Sequence, residues 1–260
     1  LADAPDGQIS LTDPDARAMA TGARHSGLVG YNVQSAVDAE THLIVAHEVT
    51  NSVTDRGHLA SMAKAAKAAT AHPTPIVLAD RGYFEGYQIL ECEQAGIAAM
   101  VPKPLTSGGK FEGRFDKRDF IYDSMRDVYR CPAGQEAIYR FTAVEDGKTL
   151  HKYWSSSCGS CHLKPQCTPA PNRRISRWEH EDVLEIVQER LDGVPEASRL
   201  RQRTVEHVFG TLKAWMGSTH FRTRTLPRVR AEMSLQVLAY NLQRVIRILG
   251  AQNLIAEMRA

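Results

Sequence analysis

Asp80 and Glu206 are the carboxylates of this chain best placed to do chemistry. Asp80 closes a short apolar run, Ile76-Val77-Leu78-Ala79, and is followed by Arg81-Gly82-Tyr83. A buried strand ending in Asp presents the carboxylate at its C-terminal edge, where sites form in open α/β sheets. Glu206 is the single acid in residues 197–230, among Arg199, Arg201, Arg203, Lys213, Arg222, Arg224, Arg228 and Arg230. Such a window attracts phosphate, and a carboxylate inside it is placed to ligate a metal beside a polyanion. Although distant in sequence, the two acids could converge on one divalent ion. Mg²⁺ favours carboxylate and water oxygens, and phosphoryl transfer by two metals needs such ligands to activate the nucleophile and stabilise the leaving oxygen. Lys213 comes seven residues after Glu206, about two helical turns on and on the same face, within reach of a phosphate beside the metal. The plainer readings are a turn-capping Asp80, a solvated Glu206 and a solvated basic helix face.

A second constellation is sulfur. Cys131, Cys158, Cys161 and Cys167 form C-x26-C-x2-C-x5-C. This arrangement suits tetrahedral Zn²⁺ held from loops and turns, and an iron–sulfur cluster could use the same thiols. His162 is a spare ligand. Four thiolates would leave no open position, so such a metal would be structural. Reduced structural cysteines or two disulfides are the alternatives. Cys92, alone in a helical stretch, reads as a buried small hydrophobe. The ten histidines form neither HxH nor HExxH, against a zinc hydrolase. His207 lies roughly 100° round the helix from Glu206, which argues against a shared role. Trp154, Trp178 and Trp215 read as packing residues.

The elements that must position these residues follow from pattern. Residues 1–26 have no sustained period and read as mostly loop. Gly30–Val37 and Leu43–Thr50 alternate as two strands about the Asp38–Thr41 turn, a hairpin. His58–Thr70 reads as a helix stopped by Pro73 and Pro75, Ile76–Ala79 as a buried strand, Glu85–Gln94 as a helix ended by Gly96, and Ile97–Val101 as another buried strand. From Pro102 the texture becomes turn-rich, with short strand-like runs at Val128–Arg130 and Ala137–Phe141. From about Val183 helix returns. Val205, Val208, Phe209, Leu212 and Met216 space by three and four, as do Val229, Met233, Val237 with Leu238, Leu242, Val245 and Leu249. The expected organisation is a first core segment at 1–101, a Cys-rich insertion at 102–175 and a helical C-terminal core segment at 176–260.

Composition narrows the class. With 260 residues, 43% apolar and 24% charged, the chain can bury a core and is too apolar for disorder. Charge is graded: residues 1–100 carry 6 basic and 12 acidic side chains, and residues 101–196 carry 15 of each, so the positive excess lies in the basic window. No apolar run approaches the ~18–20 residues of a membrane span, and no secretory signal is evident.

Several short words then share an order. Thr12-Asp13-Pro14-Asp15-Ala16-Arg17, Gly30-Tyr31-Asn32-Val33-Gln34, Ala79-Asp80-Arg81-Gly82-Tyr83, Tyr122-Asp123 with Tyr129-Arg130-Cys131-Pro132, and Val205-Glu206-His207-Val208-Phe209-Gly210-Thr211-Leu212-Lys213 together resemble bacterial insertion-sequence transposases of the DDE type, from about residue 11 to 249. The resemblance implies an α/β fold, an RNase H-like mixed sheet flanked by helices, with a Cys-rich inserted subdomain and a C-terminal helical region. It implies a Mg²⁺- or Mn²⁺-dependent enzyme that nicks and joins DNA ends, with Asp80 and Glu206 as catalytic metal ligands. Arg201, Arg203, Lys213, Arg222 and Arg224 would contact phosphates, positioning DNA without reading its sequence. A cytoplasmic, nucleoid-associated homo-oligomer acting on transposon ends and target DNA is the expected setting, with no membrane.

Two departures qualify this. Some relatives place Tyr and Arg seven and four residues before the Glu, where this chain has Arg199 and Gln202, with Arg201 and Arg203 beside the latter. More seriously, the family's first catalytic Asp lies on an opening strand upstream of the hairpin, and none of the residues before Gly30 reads as that strand. Asp13 and Asp15 belong to a later motif, Asp38 sits in a turn, and Gln8-Ile9-Ser10-Leu11 is a poor substitute. The chain starts at Leu1 rather than Met, and the expectation is an N-terminally truncated catalytic region. Its central sheet would have two unpaired edges, and in isolation it would be inactive or impaired. The alternatives are a non-catalytic DNA-binding remnant that competes in transposase assemblies, and a metal-stabilised binding module centred on residues 125–170.

Overall fold

The structure is a computed structural model that describes residue 8 and residues 10–19, 27–104 and 113–259. The chain divides into two compact units, one of residues 1–103 with 186–260 and one of residues 104–185.

The first unit opens with β1 (Arg17–Met19) paired antiparallel with β2 (Leu28–Gly30), where the sequence reads as loop. The Gln8–Leu11 run lies partly outside the described residues, and Leu11 is almost fully exposed. The hairpin follows as β3 (Asn32–Val37) and β4 (Ile44–Thr50). Asp38 builds its turn by accepting from the Thr41 N–H at 2.7 Å and the Thr41 hydroxyl at 2.5 Å, and so points at Thr41. Helix α1 (Leu59–Thr70), β5 (Ile76–Leu78), α2 (Gly86–Gln94) and β6 (Ala98–Met100) complete the first segment, with β5 and β6 parallel. Glu85 caps α2 through the Gln88 N–H, and Gly96 leaves it at φ +65°. Gly is suited to that conformation because it lacks a Cβ.

Among the described residues the hairpin and the β5–β6 pair are separate two-stranded sheets rather than one mixed sheet. The run Ile76–Leu78 is accordingly not buried: Ile76 is 67% exposed. A strand paired on one side only keeps solvent on the other. By contrast β6 is enclosed, with Ala99 and Met100 buried, as is Val101 just after it.

The second unit is a five-stranded antiparallel sheet in the order β11-β10-β9-β8-β7, from β7 (Ile121–Asp123), β8 (Val128–Arg130), β9 (Glu136–Glu145), β10 (Lys148–Trp154) and β11 (Ile175–Trp178). The β9–β10 hairpin is longer than its pattern suggests. Asp146 and Gly147 both take positive φ in its turn, the geometry that fits the right-handed twist of the strands. Phe120, Tyr129, Ala137, Tyr153 and Ile175 form the core. The Tyr122 and Tyr153 hydroxyls both donate to Asp127 Oδ1 at 2.7 Å. The short helix α3 (Lys164–Cys167) lies between β10 and β11. Because β11 is an edge strand of this sheet, the unit extends past residue 175.

Helix α4 (Glu181–Gly193) begins in the second unit and ends in the first, where Arg190 makes a two-pronged ion pair with Glu93. Next come α5 (Ala197–Gly210), a π-helical turn at Thr211–Trp215, α6 (Leu226–Leu249) and α7 (Ala251–Glu257). Val208 and Leu212 join Ile44, Val49, Val229, Met233, Val237 and Tyr240 in the core of the first unit. The single apolar face expected on α6 is really two. Val229, Met233 and Val237 are buried, whereas Leu238, Leu242 and Leu249 are 45% or more exposed. Asp13 and Asp15 tie the N-terminal segment to the start of α6: Asp13 accepts from Tyr31 and from the Thr225 N–H, and Asp15 from the Leu226 N–H at 2.8 Å. These are donors a helix start leaves unsatisfied.

Candidate functional site

Asp80 leaves β5 extended and caps the turn Arg81–Tyr83, its Oδ1 accepting from the Gly82 N–H at 2.7 Å. The capping reading of Asp80 is thus observed, and it occupies one oxygen. A carboxylate that the sequence reading passed over stands beside it. A Cβ on Gly82 would lie 2.9 Å from Asp80 Oδ1 and 3.4 Å from Asp55 Oδ2, so both acids crowd the same bare backbone. Gly82 matters here for the room it leaves rather than for its φ.

Asp55, in the loop between β4 and α1, is held from β3. Its Oδ1 accepts from Asn32 Nδ2 and from Gln34 Nε2, each at 2.8 Å. Asn32 and Gln34 alternate on the strand and therefore share a face. Gln34 is 1% exposed, and its Oε1 accepts from the Tyr83 hydroxyl. Burial pushes the Tyr83 hydroxyl far above its ordinary range, and the negative charges of Asp55 and Asp80 add to this, while Arg201 opposes them. Tyr83 therefore remains a neutral donor, and Arg201 of α5 lies within electrostatic reach of it. The signal for Asp55 was present in Asn-x-Gln, two amides on one strand face in need of an acceptor.

Among the described residues Oδ2 of Asp55 and of Asp80 accepts no hydrogen bond. Two hard carboxylates with one oxygen anchored and one open are chemically suited to a divalent ion. Among the described residues, however, no three His, Cys, Asp or Glu side chains already form a group that could hold a metal.

Helix α5 packs across β3 and β5. Its buried face carries Ala197, Thr204 and Val208. Glu206 lies two residues from each of Thr204 and Val208, nearly opposite them on the wheel at roughly 100° per residue, and is exposed. Among the described residues no hydrogen bond or ion pair ties Glu206 to Asp80. The residue of this helix coupled to the acid pair's surroundings is Arg201.

The phosphate-contact candidates are spread along the same region. Arg203, Lys213, Arg222 and Arg224 are exposed and Arg201 is half-buried. Lys213 falls in the π turn, closed by the Met216 N–H on Thr211 O at 3.1 Å, and this wider turn alters the simple two-turn register with Glu206. Arg222 and Thr223 lend main-chain N–H groups to the Glu232 carboxylate. Burial disfavours charge on Glu232, but these bonds outweigh it and lower its pKa. Arg199 pairs with Glu196 at 3.2 Å on an exposed surface. His207 stacks edge-on with His42, ring centroids 5.1 Å apart, away from any shared role with Glu206. Trp215 departs from the packing expectation: it is 87% exposed, whereas Trp178 is buried and Trp154 has Arg140 and Arg174 over its ring.

In the second unit Cys131, Cys158, Cys161 and Cys167 line one cavity and carry no disulfide. Burial raises the Cys167 thiol, Arg173 opposes this, and the other three cysteines add to it. His162 is exposed and does not line the cavity. Cys92 is fully buried, its thiol pushed up to about 11 by burial and by Glu91 and Glu93.

Among the described residues no helix is long and apolar enough to cross a membrane. In comparison with known proteins, no curated protein and no solved structure matches the chain. Residues 130–246 match the family model of the Transposase DDE domain, a span that starts at the end of β8, takes in the four cysteines and Glu206, and ends within α6.

Proposed function

We propose that this chain is the catalytic region of a DDE transposase, acting on DNA with Asp80 and Glu206 as two of its three metal-binding acids. The observation that carries the reading is the match of residues 130–246 to that family together with an anchored acid pair at the end of β5, over which α5 packs. In this proposal the hairpin, the parallel β5–β6 pair and helices α1 and α2 belong to an RNase H-like sheet whose central strand is not among the described residues. That strand bears the remaining acid and pairs the open edges. The chain as it stands is then impaired in catalysis, a consequence of geometry as much as of ligand number.

A divalent ion held by these acids would supply Lewis-acid stabilisation of a phosphodiester in attack by water or a 3′-hydroxyl. The residues of the chain have separate tasks. The Gly82 N–H fixes one oxygen of Asp80, Asn32 and Gln34 fix Asp55, and Tyr83 keeps its proton between them. Arg201, Arg203, Lys213, Arg222 and Arg224 hold phosphates, and exposed Trp215 offers a face to an unpaired base. The homo-oligomeric assembly and nucleoid setting expected of the family belong to the same proposal.

The test is Mn²⁺-dependent nicking of transposon-end DNA by this chain, alone and extended upstream by the preceding coding sequence. The extended protein should cut and join strands, and Asp80→Asn or Glu206→Gln should each abolish this. Full activity of the chain alone, or an active Asp80→Asn variant, would refute the assignment. The exposure of Glu206 and its lack of any tie to Asp80 favour a second reading, a non-catalytic DNA-binding remnant. That reading predicts salt-sensitive DNA binding unaffected by either substitution and no cleavage from the extended protein.

A further inference from the structure

The sulfur cavity of the second unit is built from three short backbone devices. Cys131 heads a tight loop between β8 and β9, in which the Gly134 N–H donates to Cys131 O at 2.8 Å and the Cys131 N–H to Gln135 O at 2.9 Å. Gly134 takes φ +74° there, a conformation that favours glycine. Cys158 and Cys161 flank a helical turn, with the Cys161 N–H on Cys158 O and the Lys164 N–H on Cys161 O at 3.1 Å. Cys167 closes α3. Three segments from separate parts of the unit thus aim four thiols at one space.

Two features of that space select its occupant. Four cysteines presented from loops and turns are a ligand set suited to a single tetrahedral Zn²⁺ ion. Besides the cysteines the cavity is lined by apolar residues such as Phe115 and Phe120, by polar ones such as Ser155 and Thr168, and by Arg173. The buried Nε of Arg173 has no hydrogen-bond partner, and its guanidinium lies over the Phe120 ring at 5.5 Å. A buried N–H without an acceptor is costly, and neutral thiols are poor acceptors. Thiolate sulfurs would satisfy it.

We propose that Cys131, Cys158, Cys161 and Cys167 bind one zinc ion, with Arg173 donating to a ligating sulfur. The four cysteines line one cavity, although among the described residues no three of them already form a group that could hold a metal. Binding draws them to about 2.3 Å from the ion and releases four protons. Four thiolates on Zn²⁺ carry a net charge of −2, which the Arg173 guanidinium partly offsets. The site has no open position and serves to pin the β8–β9 loop to the segment before β11. It stands independently of the DNA reading, because its test measures metal rather than cleavage.

The experiment is metal analysis of the purified full chain, followed by removal of the metal and titration with cobalt(II). The expected result is one zinc per chain without iron or labile sulfide, and a cobalt form with the intense visible and sulfur-to-metal charge-transfer bands of tetrahedral thiolate ligation. Cys158→Ser should weaken those bands, Arg173→Ala should lower metal affinity on the order of tenfold, and His162→Ala should change neither. Iron with labile sulfide, a weak octahedral cobalt spectrum, or zinc affinity unaltered by both Cys158→Ser and Arg173→Ala would overturn the proposal. If Cys158→Ser fails to fold, the wild-type cobalt spectrum decides by itself.

Discussion

The two units satisfy their backbones in opposite ways. Residues 104–185 are contiguous in sequence and complete a five-stranded ladder from their own hydrogen bonds, with Tyr122 and Tyr129 both packed edge-on against Tyr153. The other unit joins two distant segments and holds three separate two-stranded sheets among its described residues. Its coherence comes from helices α5 and α6 and from side-chain ties such as Asp13 to Thr225 and Asn241 to Ile44. A scaffold can finish itself locally. A unit assembled from far-apart strands and helices depends on contacts that only the tertiary fold brings together.

The sharpest way to break this contrast is at Asp127, which sits at φ +51° and receives both the Tyr122 and Tyr153 hydroxyls. Asp127→Ala leaves the buried Tyr153 hydroxyl unpaired and places a Cβ residue without local hydrogen bonding in the left-handed region. The expected loss is about 2–4 kcal/mol by urea unfolding. Asp127→Asn keeps an acceptor and tolerates that φ, so it should lose less than half as much. Equal losses would mean that charge, not the shared acceptor, holds the sheet.

In the first unit the corresponding tie is Asp13. Asp13→Ala removes the acceptor of Tyr31 and of the α6 start, for an expected cost of about 1–2 kcal/mol, read as a drop in Tm. A larger loss than at Asp127 would reverse the contrast drawn above.

On the proposed function, DNA binding would separate the units by charge. Lys213→Ala and Arg224→Ala should each reduce the slope of log affinity against log salt by about 1. Arg126→Ala, in the second unit and already paired with Glu136, should leave the slope unchanged.

The smallest expected effect is a pH dependence at His42. Burial lowers its pKa from the ordinary 6.5, Arg244, His207 and Arg203 act the same way, and Asp38 opposes them. The folded state thus binds this proton more weakly than the unfolded chain. The contribution to stability is complete above the unfolded value and lost as pH falls through the folded one. His42→Asn, which accepts the positive φ of 58° at this position, should flatten the decline in Tm between about pH 7 and pH 5.

Much of the molecule was legible in its residues. The hairpin, α1, α2, the three long C-terminal helices and the turn-rich cysteine segment each follow from a local period or a local breaker. Three things were not. β1 is too short to show a period. The length of the β9–β10 hairpin was signalled by Asp146-Gly147, whose turn chemistry outweighs an irregular strand pattern. The two-faced α6 could not be resolved, because apolar residues all round a helix do not say which stripe is covered.

What the sequence determined by itself was local: which segments are helix or strand, where the basic window lies, and that four thiols share one stretch. The tertiary structure alone decided which acids meet. It set Asp55 beside Asp80 across Gly82, left Glu206 on the solvent side of α5, and turned Asp13 and Asp15 into a clasp on α6. The physical reason is that backbone preference acts over a few residues. The meeting of two carboxylates is set instead by how strands and helices far apart in the chain pack to bury their apolar faces.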